Sequence, residues 1–363
     1  MQTAIPYMQF RGGSSKGVYF LASDLPEDEA LRNKVLLAVM GGGDARQIDG
    51  LGGAHPLTSK IGIICPSQRE GIDVDYLFVQ AVVGEDRVDT TPNCGNILAG
   101  VGPFAIESGL VKAREGETRV QIYMVNSGNR CELQVMTSQG EISYQGNARI
   151  DGVPGSASPV ICNYMNLAGS ACGALLPTGN ILDIVDGISV TCIDNGMPVV
   201  LLRAEDFDIT GYESSDELNA NTVLKEKLES IRIQLGPMMN LGEVTDKVVP
   251  KMSFIAAAKE GGHICTRTFI PHVCHTAVGV LGAVSVATAC VMPGSVAEGI
   301  AVIPEGNPKN ISVEHPSGEF SVNLEIAGSS ESPEVIKAGL LRTARLISKG
   351  ETYIPSSIWN GNK

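Results

Sequence analysis

Cys94 lies in the string Thr90-Thr91-Pro92-Asn93-Cys94-Gly95-Asn96, directly ahead of an almost chargeless stretch that runs to Ile106. If that stretch is a helix, Cys94 sits in its first turn. There, backbone N–H groups and the helix dipole favour a thiolate and bind anions. A low-pKa thiol beside an anion pocket suits removal of a proton next to a carboxylate. Taken alone, a cysteine at this place is also a plain way to pack a helix start, so its surroundings must decide.

A second group, His263, Cys265, His272, Cys274 and His275, falls within 13 residues. Its richness suggests zinc. Its spacings, His-x-Cys and then His-x-Cys-His, match no standard structural zinc pattern. Strand alternation would also send 263, 265 and 272 to faces not obviously shared with 275, so no metal is expected.

The elements that must position these side chains come in two sets. The second set is displaced by 180 residues, close to half of the 363-residue chain. Cys94 precedes the apolar run 97–106, and Cys274 precedes the chargeless run 276–292. Segments 5–10 and 18–21 flank the turn Arg11-Gly12-Gly13-Ser14-Ser15-Lys16-Gly17. Segments 188–193 and 199–202 flank Asp194-Asn195-Gly196-Met197-Pro198. Both read as strand–turn–strand units.

An amphipathic helix follows each unit. The first is expected to be capped by Asp24, to have Pro26 in its first turn, and to run toward Met40. The second is expected over 215–235. Each helix leads to a strand opened by a lysine, Lys60 or Lys251. Further strands are expected over 76–83, 118–125, 142–150, 300–303, 311–314 and 320–326, with a C-terminal helix carrying Arg342 and Arg345 on one face. Surface salt-bridging is the simplest role for those arginines. A helix apolar on all sides must be surrounded by protein, and a strongly curved sheet wrapped around each central helix does that. Pro103 predicts a kink in the first of them. The fold class is therefore α+β: two pseudo-symmetric domains, 1–180 and 181–363, each a curved, mostly antiparallel, barrel-like sheet around a central apolar helix. The final segment is free to pack back on the first domain, and a ligand cleft is expected between the two.

Bulk properties exclude several functions. The chain is 43% hydrophobic and 18% charged, with 42 glycines and few aromatics. A net charge of −13 with no basic cluster argues against nucleic acid and anionic membrane as partners. Nine scattered cysteines, and an N-terminus without basic region or apolar signal core, predict a reduced, cytoplasmic protein. The 276–292 run reads as a buried helix rather than a membrane span, because it is interrupted by Gly279 and Gly282 and lacks a basic flank.

The markers Arg11-Gly12-Gly13-Ser14-Ser15-Lys16-Gly17, Gln47-Ile48-Asp49-Gly50-Leu51-Gly52-Gly53, Leu57-Thr58-Ser59-Lys60, Asp73-Val74-Asp75-Tyr76, Asn93-Cys94-Gly95-Asn96, Leu175-Leu176-Pro177-Thr178-Gly179, Glu314-His315-Pro316-Ser317-Gly318 and Arg342-Thr343-Ala344-Arg345 occur in this order over essentially the whole chain. Together they resemble the PrpF family of the diaminopimelate-epimerase-like superfamily, which includes methylaconitate and methylitaconate isomerases and oxalomesaconate tautomerases. The segment 89–96 looks closest to the oxalomesaconate-tautomerase-like branch. Two departures stand out: Ser14 replaces the usual Thr, keeping the hydroxyl, and Pro271-His272-Val273-Cys274-His275 carries two histidines where one is usual.

The resemblance implies cofactor-independent isomerisation of a small unsaturated di- or tricarboxylate, with Lys60 and Cys94 as catalytic residues. Removing a proton alpha to a carboxylate needs a base and stabilisation of the developing enediolate or dienolate. Candidate substrate-binding residues are Gly13, Ser14, Ser15, Lys16, Ser59, Asn93, Gly95, Asn96, His275, Thr276 and Ser317. Asp49 and Asp89 could position Lys60. The assembly expected, if any beyond the monomer, is a homodimer. Two alternatives stand beside this reading: a two-thiol amino-acid racemase or epimerase using Cys94 and Cys274, and a non-catalytic carboxylate-binding accessory protein.

Overall fold

Most of each chargeless segment becomes a helix with almost no exposed surface along its middle, residues 97–105 in the first and 282–290 in the second, and the strands arrange themselves around them. A computed structural model describes residues 1–90, 94–165, 167–329 and 332–361. The first half contains β1 (Gln2–Gly12), β2 (Ser15–Leu21), α1 (Glu29–Met40), β3 (Lys60–Pro66), β4 (Val74–Ala81), β5 (Val88–Asp89), α2 (Gly95–Glu107), β6 (Gly116–Met124), β7 (Asn129–Ser138), β8 (Glu141–Ile142) and β9 (Pro159–Met165). The second contains β10 (Asp183–Val185), β11 (Ile188–Asp194), β12 (Pro198–Arg203), α3 (Ser215–Ala220), α4 (Thr222–Met238), β13 (Lys251–Ala256), β14 (Ile264–Phe269), α5 (Val280–Cys290), β15 (Lys309–His315), β16 (Gly318–Ser329) and β17 (Ser332–Pro355).

The chain divides into two units, Met1–Tyr164 with Leu341–Lys363, and Met165–Leu340. The division thus falls at 164/165 and 340/341, where the sequence reading put a single boundary at 180. Residues 165–180 belong to the second unit because they bond to its first hairpin. Ala168 bridges Asn195, and the Ala171 and Cys172 N–H groups donate to Asp194 Oδ2 at 2.7 and 2.8 Å.

In the first unit eight strands close on themselves in the order β1–β2–β3–β4–β6–β7–β9–β17 and back to β1. α2 lies against β1, β2, β3, β4, β6 and β7, with residues 97–105 all buried. α1 covers the outside. Strand β2 is buried on both faces, which explains why it lacks alternation. Val18 and Phe20 join Val35, Leu36, Val39 and Met40 of α1 in one cluster. Tyr19 points the other way, stacks on Phe104 at 5.9 Å and donates its hydroxyl to Ile97 O at 2.6 Å.

The second unit repeats the connectivity. β1/β2 antiparallel, β2/β3 parallel, β3/β4 antiparallel, β4/β6 parallel and β6/β7 antiparallel are matched by β11/β12, β12/β13, β13/β14, β14/β15 and β15/β16 with the same senses. α5 packs on β11, β12, β15 and β16. α4 buries Leu224, Leu228, Ile231 and Leu235 against Val200, Leu202, Met252 and Phe254. The expected α+β duplication with a wrapped apolar helix in each half is the fold present.

Several local expectations are corrected. The cap of α1 is Asp28, whose side chain accepts from Leu31 N, and residues Ala22–Asp24 form a separate 3-10 turn. The helix expected over 215–235 is broken at Asn221, whose side chain caps α4 through Leu224 N. The 142–150 strand shrinks to Glu141–Ile142 plus a bridge from Ala148 to Ala157, and 300–303 is irregular chain. Arg342 and Arg345 lie on β17, not on a helix. Three residues apart on a strand they take opposite environments, Arg342 buried and Arg345 exposed. Among the described residues no helix is long and apolar enough to cross a membrane.

Candidate functional site

Helix α2 begins at Gly95 with Cys94 as its N-cap residue, in extended conformation (φ −136°, ψ 99°) and half-buried. The Cys94 side chain caps none of the first-turn N–H groups, so the thiol keeps its valence for other partners. Asn93 lies outside the described residues. Three buried phenols are within electrostatic reach of the sulfur. Burial first, and then charge on Cys94, pushes Tyr19 and Tyr76 well above the ordinary tyrosine range. Tyr164 moves the same way, through burial and then Cys162 and Cys131, with Cys94 a smaller cause. All three therefore remain protonated. The Tyr76 hydroxyl is buried without a hydrogen-bond partner among the described residues.

The β1–β2 turn presses on the same helix end. A Cβ at Gly13, whose φ is +53°, would stand 2.1 Å from Asn96 Oδ1, and one at Gly17 would stand 2.8 Å from Ile97 Cδ1 and 3.0 Å from Lys60 O. Asn96 Nδ2 donates to Ser14 Oγ at 3.2 Å and Ser15 Oγ at 3.4 Å. The turn is more firmly occupied than a free anion nest. Gly13 N–H donates to Thr343 O and Lys16 N–H to Leu57 O, both at 2.9 Å. Those two N–H groups are therefore spent, and the donors left there are the serine hydroxyls and the first turn of α2.

Lys60 opens β3 beside Gly17 of β2. It is 9% exposed; its Nζ donates to Gln80 Oε1 at 2.8 Å and stands 5.1 Å from the Phe78 ring centroid. Gln80 is itself fixed, since its Nε2 donates to Ser59 O at 2.9 Å and Ala81 O at 3.1 Å. A buried ammonium needs such a partner. Ser59 is fully buried and donates to Gln47 Oε1 at 2.6 Å, while Gln47 Nε2 has no partner among the described residues. Asp49 is exposed, and Asp89 lies opposite Gln80 across β4/β5.

Sequence reasoning missed Gln80 and Gln47. The signal for Gln80 was a lone amide at the end of the apolar run Tyr76-Leu77-Phe78-Val79, and Gln47 stood in a quoted marker without a role.

The second-unit candidates behave differently. Helix α5 begins at Val280 with Gly279 as N-cap, so neither His275 nor Cys274 opens it, contrary to expectation. Cys274 is buried at a bridge to Phe269; its N–H donates to Asn219 Oδ1 at 2.7 Å, and burial pushes its thiol up. His275 is exposed, its Nδ1 3.0 Å from Ala277 O. Thr276 and Ser317 do meet, with Ser317 Oγ donating to Thr276 O at 2.6 Å. The His/Cys group does not converge. His263 accepts from Ser312 N, His272 stands 3.5 Å from Glu229, and Cys265 faces Arg267 and Gly211. No group of three or more potential metal ligands occurs among the described residues.

A half-buried thiol at a helix start, a buried and hydrogen-bonded lysine, and a serine-bearing turn against that helix make a site equipped for acid–base chemistry on an anion. Residues 2–355 match the family described as PrpF protein. The chain is 56% identical to 4-oxalomesaconate tautomerase of Pseudomonas putida over 361 residues, covering 99% of both. It is 55% identical to (4E)-oxalomesaconate Delta-isomerase of a Novosphingobium species, covering 96% of this chain and 97% of that one. Its structure resembles the crystal structure of methylitaconate-delta-isomerase with a TM-score of 0.88 at 33% identity, covering 98% and 97%. The protein is an isomerase with the fold of methylitaconate-delta-isomerase. It belongs to the PrpF family.

Proposed function

We propose that this isomerase catalyses an allylic proton shift in a small unsaturated tricarboxylate of the 4-oxalomesaconate type, with Cys94 and Lys60 as the acid–base pair. The observation that carries the reading is the pairing of an N-cap cysteine on an apolar helix with a buried lysine on the strand beside it, in a chain more than half identical to a 4-oxalomesaconate tautomerase.

One group takes a proton from the carbon next to a carboxylate. The electron pair left behind spreads through the C=C bond toward the adjoining carboxylate or oxo group. The other group returns a proton at the far end of the three-carbon system. One C–H bond breaks, one forms, the double bond moves, and the substrate's composition is unchanged. The developing oxyanion lies at the α2 N-terminus, where the first-turn N–H groups and the helix dipole stabilise it. Asn96, Ser14 and Ser15 orient a carboxylate. Lys60 balances negative charge and is kept in place by Gln80. On this reading Gly13, Lys16, Ser59 and Gly95 shape the site, and Asn93 supplies a further substrate contact. The protein works in the cytoplasm.

Proton NMR in D2O with oxalomesaconate-, methylaconitate- and methylitaconate-type acids tests this. Enzyme-dependent conversion and deuterium uptake with the oxalomesaconate type, abolished in Cys94→Ser, is the expected result. Exchange that survives Cys94→Ser unchanged, or no exchange with any of these acids, would overturn it.

A further inference from the structure

On the first unit, away from Lys60 and Cys94, two arginines face each other without an acid between them. Arg11 of β1 and Arg345 of β17 are directly opposed in antiparallel register. Residues opposed in this way share a face of the sheet, and like charges so placed repel. Both line one cavity of about 810 Å3, together with Thr343, Tyr144, Gln145 and Ser156. Among the described residues neither guanidinium has a carboxylate within ion-pair distance.

Arg11 donates through Nη1 to Gly13 O at 2.8 Å and Thr343 O at 2.9 Å. Its remaining N–H groups, and those of the exposed Arg345, have no protein acceptor among the described residues. Burial, and then the charge on Arg345, lowers the pKa of Arg11. Glu107, beside the lining residue Tyr144, is already engaged: it accepts from Tyr144 Oη at 3.2 Å and from Lys349 Nζ at 3.3 Å.

We propose that the cavity lined by Arg11 and Arg345 is a second binding site, for a multiply charged oxyanion, carboxylate or phosphate, that bridges the two guanidinium groups. Two planar forks on adjacent strands offer paired, charge-assisted donors, the arrangement such anions bind most strongly. A short chain of contacts joins this cavity to the site assigned above. Arg11 holds the Gly13 carbonyl, and the Gly13 turn rests on Asn96 in the first turn of α2.

The test is isothermal titration of the whole protein with inorganic phosphate at low ionic strength, repeated for Arg345→Gln, Arg345→Lys and Arg345→Glu. Saturable binding is expected, weakened about tenfold or more in Arg345→Gln and partly kept in Arg345→Lys. Arg345→Glu, which sets a carboxylate opposite Arg11, is expected to raise Tm in anion-free buffer and to abolish the rise in Tm that phosphate causes in the wild type. A competition arm separates the two sources. Displacement of phosphate by tricarballylate, a saturated tricarboxylate that cannot isomerise, assigns the site to carboxylates, and persistence of phosphate assigns it to phosphate. No saturable binding of either anion, or binding undiminished in Arg345→Gln, would overturn the proposal. These readouts use no turnover, so their failure is distinct from failure of the reaction assigned above.

Discussion

The two units share a connectivity, yet their corresponding hairpin turns hold their central helices at different places. In the first unit the Gly13-Ser14 turn rests on Asn96 in the first turn of α2, through contacts of 3.2 and 3.4 Å that leave the helix end half-open. In the second, Asn195 reaches past the helix start. Its N–H donates to Ser285 Oγ at 3.1 Å and its Nδ2 to Thr288 Oγ1 at 2.8 Å, one and two turns into α5. The cysteines diverge likewise, Cys94 as a half-buried N-cap and Cys274 buried well before Gly279. So do the lysines. Lys60 is held by Gln80, while Lys251, at the same place in the repeat, has no hydrogen-bond or ion-pair partner among the described residues, and burial alone lowers it to about 8. Duplication has produced one half with an accessible helix end and one whose polar groups are turned inward to bind the helix.

The largest effect expected is in turnover. Cys94→Ser should lower kcat by a factor on the order of 10²–10⁴, the usual weight of a general acid or base, while Cys274→Ser stays within a few-fold. Equal losses in both would break the comparison and restore the two-thiol reading. Lys60→Ala should cost roughly 10²-fold or more in a folded protein, with Lys251→Ala nearly silent in the same assay.

Backbone space gives the next effect. Gly13→Ala must fit a Cβ 2.1 Å from Asn96 Oδ1 at positive φ, a cost of about 2–3 kcal/mol by denaturant unfolding. Gly279→Ala, whose Cβ meets nothing within 4 Å, should cost about 0.5 kcal/mol or less, as a change of N-cap residue. Asparagine truncation then separates holding from chemistry. Asn195→Ala removes buried bonds and should cost about 1–2 kcal/mol with little change in kcat/KM. Asn96→Ala should cost about half that in stability and far more in kcat/KM.

The smallest effect concerns pH. A lysine lowered to about 8 in the folded state, against about 10.4 unfolded, binds fewer protons folded than unfolded between those values. Its cost is therefore complete below about pH 8 and fades as pH rises to about 10.4. Lys251→Met should raise Tm at pH 7 by about 1–2 °C, since solvent screening keeps the gain under about 1 kcal/mol, and the gain should vanish near pH 10.5. A gain that does not change with pH would show that packing, not charge, is responsible.

The duplication, both central helices, the hairpin turns and the strands opened by Lys60 and Lys251 were all legible in the chain. Each is written in a local code: apolar runs without charge, glycine at turns, a polar residue where a strand begins. The placement of Cys94 at a helix start was legible for the same reason. The equivalent guess for Cys274 failed because a chargeless run can begin as irregular chain, and nothing local marks Gly279 rather than Cys274 as the first helical boundary. The 24-residue strand β17 was read in part as a helix. Its partners β1, β9 and β16 are remote in sequence, and strand preference depends on such neighbours far more than helix preference does.

By itself, then, the sequence determined the family and the repeat, and it singled out the two residues to which the proposed reaction is assigned. Only the tertiary structure decided their environment. Gln80 reaches Lys60, Gln47 reaches Ser59, and Arg11 confronts Arg345 because strand register sets which side chains stand side by side, and register is settled by packing across the whole barrel rather than by any short stretch of chain.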